Sequence, residues 1–211
     1  MWRAVAAFSG ALFTVALVFA VGAGGPPASV APTDTSEAIA RALIDNRTNL
    51  VTGNYILLLS AFLLIVFAGY LRHTVEPEAG DEWPLTVALG GGLLTVSALI
   101  LVAFVGLSQG QLETYGPDAV MARTLLTLGW NGMWMVVPGL AALIGAMSLV
   151  TFSYATLPRT IGALGTAVTI TLLTPWWGIG VIGALLWIVA TSITLGVREL
   201  RTKDGSVRKT V

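Results

Sequence analysis

Read for polarity alone, the chain alternates long uncharged apolar runs with short polar interruptions. The runs cover about residues 4–22, 53–71, 84–107, 119–152, 160–174 and 179–197. Most approach the ~20 residues that cross the hydrocarbon core of a bilayer as a helix. Helices follow because a segment in lipid must satisfy its own backbone hydrogen bonds. The pattern therefore predicts an all-α polytopic membrane bundle of six transmembrane helices. The first run follows Met-Trp-Arg, as in a signal peptide, but outlasts the usual ~7–15 apolar residues of such a leader. It reads as span one. The fourth run is the opposite case: roughly 34 residues at 1.5 Å each give about 51 Å, more than the core is thick. It must tilt, bend at Pro138 or project beyond the membrane. Span five is short, and Pro175-Trp176-Trp177-Gly178 makes a tight return into span six.

The interruptions add detail. Residues 22–32 form a Gly/Pro/Ala linker. Beyond it, Asp34 followed by Glu37 resembles a capping box. Ile39, Leu43 and Leu50 fall near one helical face, with Arg41, Asp45 and Arg47 elsewhere. Residues 35–50 thus predict one extracytoplasmic amphipathic helix at the membrane surface. Residues 72–83 carry Glu76, Glu78, Asp81 and Glu82 without calcium-loop spacing, broken by Pro77 and Gly80; they read as a solvated turn. Pro117 suits the first position of span four. Residues 201–211 form a polar basic tail. With both termini cytoplasmic, Arg3, Arg72, Arg159, Arg198, Arg201, Lys203, Arg208 and Lys209 lie inside, leaving Arg41, Arg47 and Arg123 outside. That excess obeys the positive-inside rule.

Composition narrows the function. Only 10% of the 211 residues are charged, and the net charge is zero, which gives no reason to expect a nucleic-acid partner. There is no cysteine, so disulfides, thiolate chemistry and cysteine metal sites are excluded together. His73 is the single histidine; alone it makes neither a bis-histidine haem site nor a three-histidine zinc site. No cofactor and no metal are expected.

Several segments together resemble a known group. Residues 45–72, DNRTNLVTGNYILLLSAFLLIVFAGYLR, are similar to the surface-helix-to-second-span segment of a family of uncharacterised actinobacterial multi-span membrane proteins. Residues 157–165, LPRTIGALG, resemble the Leu-Pro-Arg turn that opens that family's fifth span, and GGGLL at 90–94 fits its third. After Leu-Pro-Arg the family usually has an aromatic residue, where this chain has Thr160. The likeness covers most of the chain after residue 35. It implies a fold and a membrane location, and no catalytic residues.

Two motifs lose to simpler readings. GIGVIG, Gly178 to Gly183, matches the dinucleotide fingerprint letter for letter. That chemistry needs a strand before it and a helix N-terminus facing a pyrophosphate. Here the glycines enter an apolar helix, where small residues let helices approach closely. Asn46-Arg47-Thr48 is a formal glycosylation sequon, without meaning in a bacterial chain.

The candidate site lies in GWNGMWMVVPG, residues 129–139. Arg123, Thr127 and Asn131 recur every four residues, with Trp130 and Trp134 flanking the same side. Pro138 has no N–H, so the Trp134 carbonyl loses its helical partner. An unpaired polar group in lipid costs several kcal/mol, so this face is expected to point into the protein. Packing is the first expectation for Asn131 and a ligand-facing pocket the second. Arg123 is expected to pair with Glu113, Asp118 or Asp45 and close an outer vestibule, or else to snorkel to the headgroups. The ligand-binding candidates are Arg123, Thr127, Trp130, Asn131, Trp134 and Glu113.

The leading expectation is a non-enzymatic membrane protein that binds lipid or a hydrophobic small molecule, or serves other membrane subunits. A small transporter or channel is one alternative; no mid-membrane ionisable residue or inverted repeat argues for it. An intramembrane enzyme on a lipid or isoprenoid is the other. It requires Glu113 or Asp118 to face an enclosed cavity.

Overall fold

The computed structural model describes residues 2–24, 31–75, 83–115, 118–154 and 157–207. They form α1 (Trp2–Gly24), α2 (Ser36–Asp45), α3 (Arg47–Val75), α4 (Trp83–Gly110), α5 (Leu112–Tyr115), α6 (Ala119–Trp134), α7 (Val136–Tyr154), α8 (Arg159–Leu172) and α9 (Trp177–Val207). The all-α bundle expected from the polarity pattern is present. Residues 25–30 of the linker, the acidic turn at 76–82, Pro117 and the end of the tail lie outside the described residues.

Six legs pack side by side in the cyclic order α1, α3, α4, α6–α7, α8, α9 and back to α1. Each runs against its neighbours. Gly10 of α1 meets Phe67 of α3 while Gly24 meets Gly53; Gly92 of α4 meets Ala68 while Gly106 meets Asn54. The start of α1 and the end of α9 therefore lie at one end of the bundle, where Ser192 bonds Ala7 and Gly196 meets Phe8. Among the described residues, five helical stretches are long and apolar enough to cross a membrane: Trp2–Gly22, Arg47–Val75, Trp83–Gly110, Ala119–Tyr154 and Trp177–Arg201. The sixth leg, α8, has 14 residues and is about 21 Å long.

Apolar side chains fill the bundle. Phe13, Phe67, Leu64, Leu71, Leu99, Leu140, Leu143 and Trp187 are each at most 1% exposed and belong to one cluster. Lipid is as apolar as leucine, so burial alone does not hold such helices together; close backbone approach and interhelical hydrogen bonds do. Glycines supply the first. A Cβ built on Gly53 would stand 2.1 Å from the Gly24 Cα, and one on Gly139 would stand 2.4 Å from the Thr95 hydroxyl. Hydrogen bonds supply the second. The Ser192 hydroxyl sits inside the ladder of α1, donating to the Ala7 carbonyl and accepting the Ala11 N–H at 3.1 Å. The buried Trp187 indole donates to the Ile161 carbonyl at 3.0 Å and ties α9 to α8.

At the opposite end the chain builds a second, smaller core. Ile39, Ala40 and Leu43 of α2 pack with Leu50, Leu112, Ala122 and Leu126, all buried. Three expectations change here. The surface helix stops at Asp45 with Asn46 as its cap, and Leu50 belongs to α3. Its N-cap is Thr35, whose hydroxyl accepts the Ala38 N–H; Asp34 instead accepts the Ala31 N–H at 2.7 Å and closes the preceding turn. Finally, the apolar face of α2 is covered by α3, α5 and α6 rather than offered to a membrane. A helix of 10 residues buries Ile39 and Leu43 fully only where protein closes over them.

The fourth run is interrupted, but not at Pro138, where a bend was expected. It breaks at Met135, so Pro138 falls in the first turn of α7, where a missing N–H costs no helical bond. The 19 residues of α7 alone give about 28 Å, close to a full crossing. That leaves α6 free to rise along the end of α4 and carry α2 on its first turns.

Candidate functional site

The side of α6 that meets α4 is made of small residues. Gly129 lies against Gln109 and Val105, and a Cβ on Gly132 would come within 2.8 Å of Val102. Buried Gln109 reaches across to the Leu125 carbonyl at 3.0 Å. This side turns the polar stripe outward. Thr127, Trp130, Asn131, Trp134 and Pro138 are all exposed, with Trp130 at 52% and Trp134 at 51%. The expectation that the Asn131 face points into the protein is overturned. The physical reason is packing: α6 meets α4 through Gly129 and Gly132 and meets α2 through Ala122 and Leu126, which leaves the Asn131 face outward.

The exposed stripe continues onto another element. The Trp134 ring meets the Trp177 ring at 4.3 Å, tilted by 53°, and Trp176 beside it is 68% exposed. Trp130, Asn131 and Trp134 from α6 and the Trp176–Trp177 return thus form one outward aromatic surface. Tyr55 of α3 is also exposed. Amphipathic rings favour positions where a membrane meets water. Sequence reasoning treated Trp176 and Trp177 only as a turn. Their spacing from Trp134 in the chain hides the contact.

The charged candidates separate from this surface. Arg123 donates to the backbone carbonyl of Asp34, so it staples the approach to α2 onto α6 rather than pairing with an acid. Glu113 pairs with Arg47, and both side chains are about half exposed. Asp118 caps α6, accepting the Val120 N–H at 2.8 Å. The vestibule expected around Arg123 is occupied by the small apolar core of α2, α5 and α6. Glu113 and Asp118 are both exposed, so neither faces an enclosed cavity.

Two polar contacts were missed by the sequence reading. At the other end of the bundle the Tyr70 hydroxyl donates to the Glu199 carboxylate at 2.9 Å, joining α3 to α9. At the cap end buried Asn54 donates to the Leu50 carbonyl at 2.7 Å and fills the space left by Gly106, where a Cβ would stand 2.2 Å from its amide. Between α3, α4 and α7, the cleft lined by Ala68, Leu71, Leu85, Ala88, Leu143 and Met147 has no room for a water molecule. Among the described residues, no three His, Asp or Glu side chains gather as metal ligands.

Fold and surface together define a helical membrane protein with an exposed aromatic face. No family model, curated protein or solved structure matches the chain.

Proposed function

We propose that this protein acts by binding through its tryptophan face, as an accessory subunit that docks a membrane partner. The observation that carries the reading is the one-sided exposure of Trp130, Asn131, Trp134 and Trp176. Rings that only anchored the bundle in lipid would serve equally well spread around it. Clustered tryptophans around a polar group are instead what protein interfaces favour. A lipid or hydrophobic small molecule held on the same face is the second reading, favoured by the apolar rings themselves. The membrane arrangement belongs to this proposal: six crossings, both termini cytoplasmic, and α2 with its core outside the cell membrane. Its support is the grouping of Arg3, Arg72, Arg159, Arg198 and Arg201 at one end of the bundle, as the positive-inside rule expects of a cytoplasmic end. Kinship with the actinobacterial multi-span family is part of the same reading.

The cysteine-free chain permits one experiment for both points. Trp130→Cys, Trp176→Cys and Tyr55→Cys are each treated on intact cells with a membrane-impermeant, photoactivatable thiol reagent, and the adducts are identified by mass spectrometry. All three positions should react from outside. After illumination, Trp130→Cys and Trp176→Cys should capture one common membrane protein, while Tyr55→Cys captures lipid. No reaction from outside would reverse the orientation. Lipid alone at all three positions would end the subunit reading.

A further inference from the structure

The arginine-bearing end of α9 has a feature that neither packing nor the aromatic face uses. Ile193, Thr194, Val197, Arg198 and Arg201, all of α9, line a shallow open groove along one face of the helix, about 670 Å³. Positions 194, 197, 198 and 201 recur at helical spacing, so apolar and cationic side chains share one face. Along the helix the character changes in order. Ile193, Thr194 and Val197 come first, with Ile193 48% and Val197 38% exposed. The two guanidinium groups follow towards the end of the chain. Glu199, the neighbouring acid, is partly buried and accepts the Tyr70 hydroxyl of α3 at 2.9 Å. Arg198 has an interaction of its own within the chain, which leaves Arg201 as the outermost contact.

We propose that this groove binds an anionic phospholipid of the adjacent leaflet. Its phosphate would lie between Arg198 and Arg201 and an acyl chain against Ile193 and Val197. The argument is complementarity in two respects. Guanidinium groups present forked donors that match phosphate oxygens. The order of apolar wall then cations repeats the order of chain then headgroup in a lipid leaflet, and basic grooves on this side of membrane proteins are suited to acidic headgroups. Snorkelling accounts for a single arginine near a helix end. It does not require two guanidinium groups on the wall of one groove with exposed aliphatic side chains below them. The proposal rests on the membrane orientation proposed above and not on the tryptophan face, which lies at the other end of α9.

The full-length protein, purified in neutral detergent, is titrated with phosphatidylglycerol and with phosphatidylcholine of identical chains, and bound lipid is counted by native mass spectrometry. Phosphatidylglycerol should bind at least about tenfold more tightly. The Arg198→Gln/Arg201→Gln variant should lose about thirtyfold in that affinity, the product of two surface cations. Thr194→Trp, which keeps both arginines and fills the groove, should lose phosphatidylglycerol as well. Arg41→Gln on exposed α2 should bind as the unchanged protein does. Inorganic phosphate in large excess should leave the lipid in place. Equal binding of the two lipids would overturn the proposal, as would unchanged binding in the double arginine variant or in Thr194→Trp. Displacement by inorganic phosphate would overturn it in favour of a free-anion site. Should the double variant fail to fold, Arg201→Gln alone decides the same question, with an expected loss of about fivefold.

Discussion

The bundle and the cap built by α2, α5 and the start of α6 are both apolar cores, yet they are held by different forces. In the bundle, helices touch where side chains are missing: Gly24 against Gly53, Gly91 and Gly139 across α4 and α7, Gly180 against Leu172. In the cap, Ile39, Leu43, Leu50 and Leu126 close over one another with no glycine crossing, as in a small soluble domain. The difference follows from the solvent each face was removed from. Lipid gives no hydrophobic drive to associate, so van der Waals contact and hydroxyl bonds decide. Water does give that drive, at about 25 cal/mol per Å² of apolar surface removed from it.

The largest expected effect lies in the bundle. Gly139→Leu forces side-chain atoms into the Thr95 backbone, 2.7 Å from where the Cβ would sit. Two helix backbones would then have to separate, at a cost of about 3 kcal/mol or more. Gly90 is one residue from Gly91 on α4, but nothing lies within 4 Å of a Cβ there. Gly90→Leu should therefore leave the melting temperature in detergent nearly unchanged. Equal losses for Gly139→Leu and Gly90→Leu would show that close approach is not what holds these helices.

A smaller and more local effect is expected in the cap. Leu43→Ala deletes a fully buried side chain and should cost about 2–4 kcal/mol of cap stability. Because that core is separate from the bundle core, hydrogen exchange should speed up in α2 and the first turns of α6 while α4 and α7 keep their protection. Urea should sharpen the contrast, since it weakens burial from water. Uniform loss of protection across both regions would make the cap part of one cooperative unit.

The two regions also differ in how well their sequence announced them. Runs of apolar residues signal helices in lipid directly, so the legs of the bundle were legible. So was the apolar face of α2, since Ile39 and Leu43 keep helical spacing and both are buried. What covers that face was not legible. Its partners Leu112, Ala122 and Leu126 are brought to it by the interruption at Met135 and a short α5, neither of which has a periodic signature. The direction of Asn131 failed for a related reason. A polar residue in an apolar run was assigned inward by the cost of lipid exposure, but Gly129 and Gly132 take the inward face of α6 and leave Asn131 exposed between Trp130 and Trp134. Gln109 and Asn54, the carboxamides that are buried, sit at polar fringes where the sequence gives no sign of burial. The Tyr70–Glu199 contact spans 129 positions and is set by the meeting of α3 and α9.

The smallest effect is expected from the ion pair on the cap. Arg47 and Glu113 join the first turn of α3 to α5, but their side chains are 53% and 55% exposed. Water and salt screen such a pair, so its loss should cost only ~0–1 kcal/mol. Arg47→Gln and Glu113→Gln should each melt the cap barely earlier, with the difference vanishing in 1 M salt. Arg123→Gln should cost more than either, although Arg123 has no acid as partner: its guanidinium holds the Asp34 carbonyl and with it the chain entering α2. The swap Arg47→Glu with Glu113→Arg should restore what the single changes lose, whereas Arg123→Lys should recover only part, because one ammonium cannot copy a planar fork on a carbonyl. If the Arg47 and Glu113 variants destabilise the cap more than Leu43→Ala does, the cap is held by charge rather than by burial, and its contrast with the bundle takes a different origin.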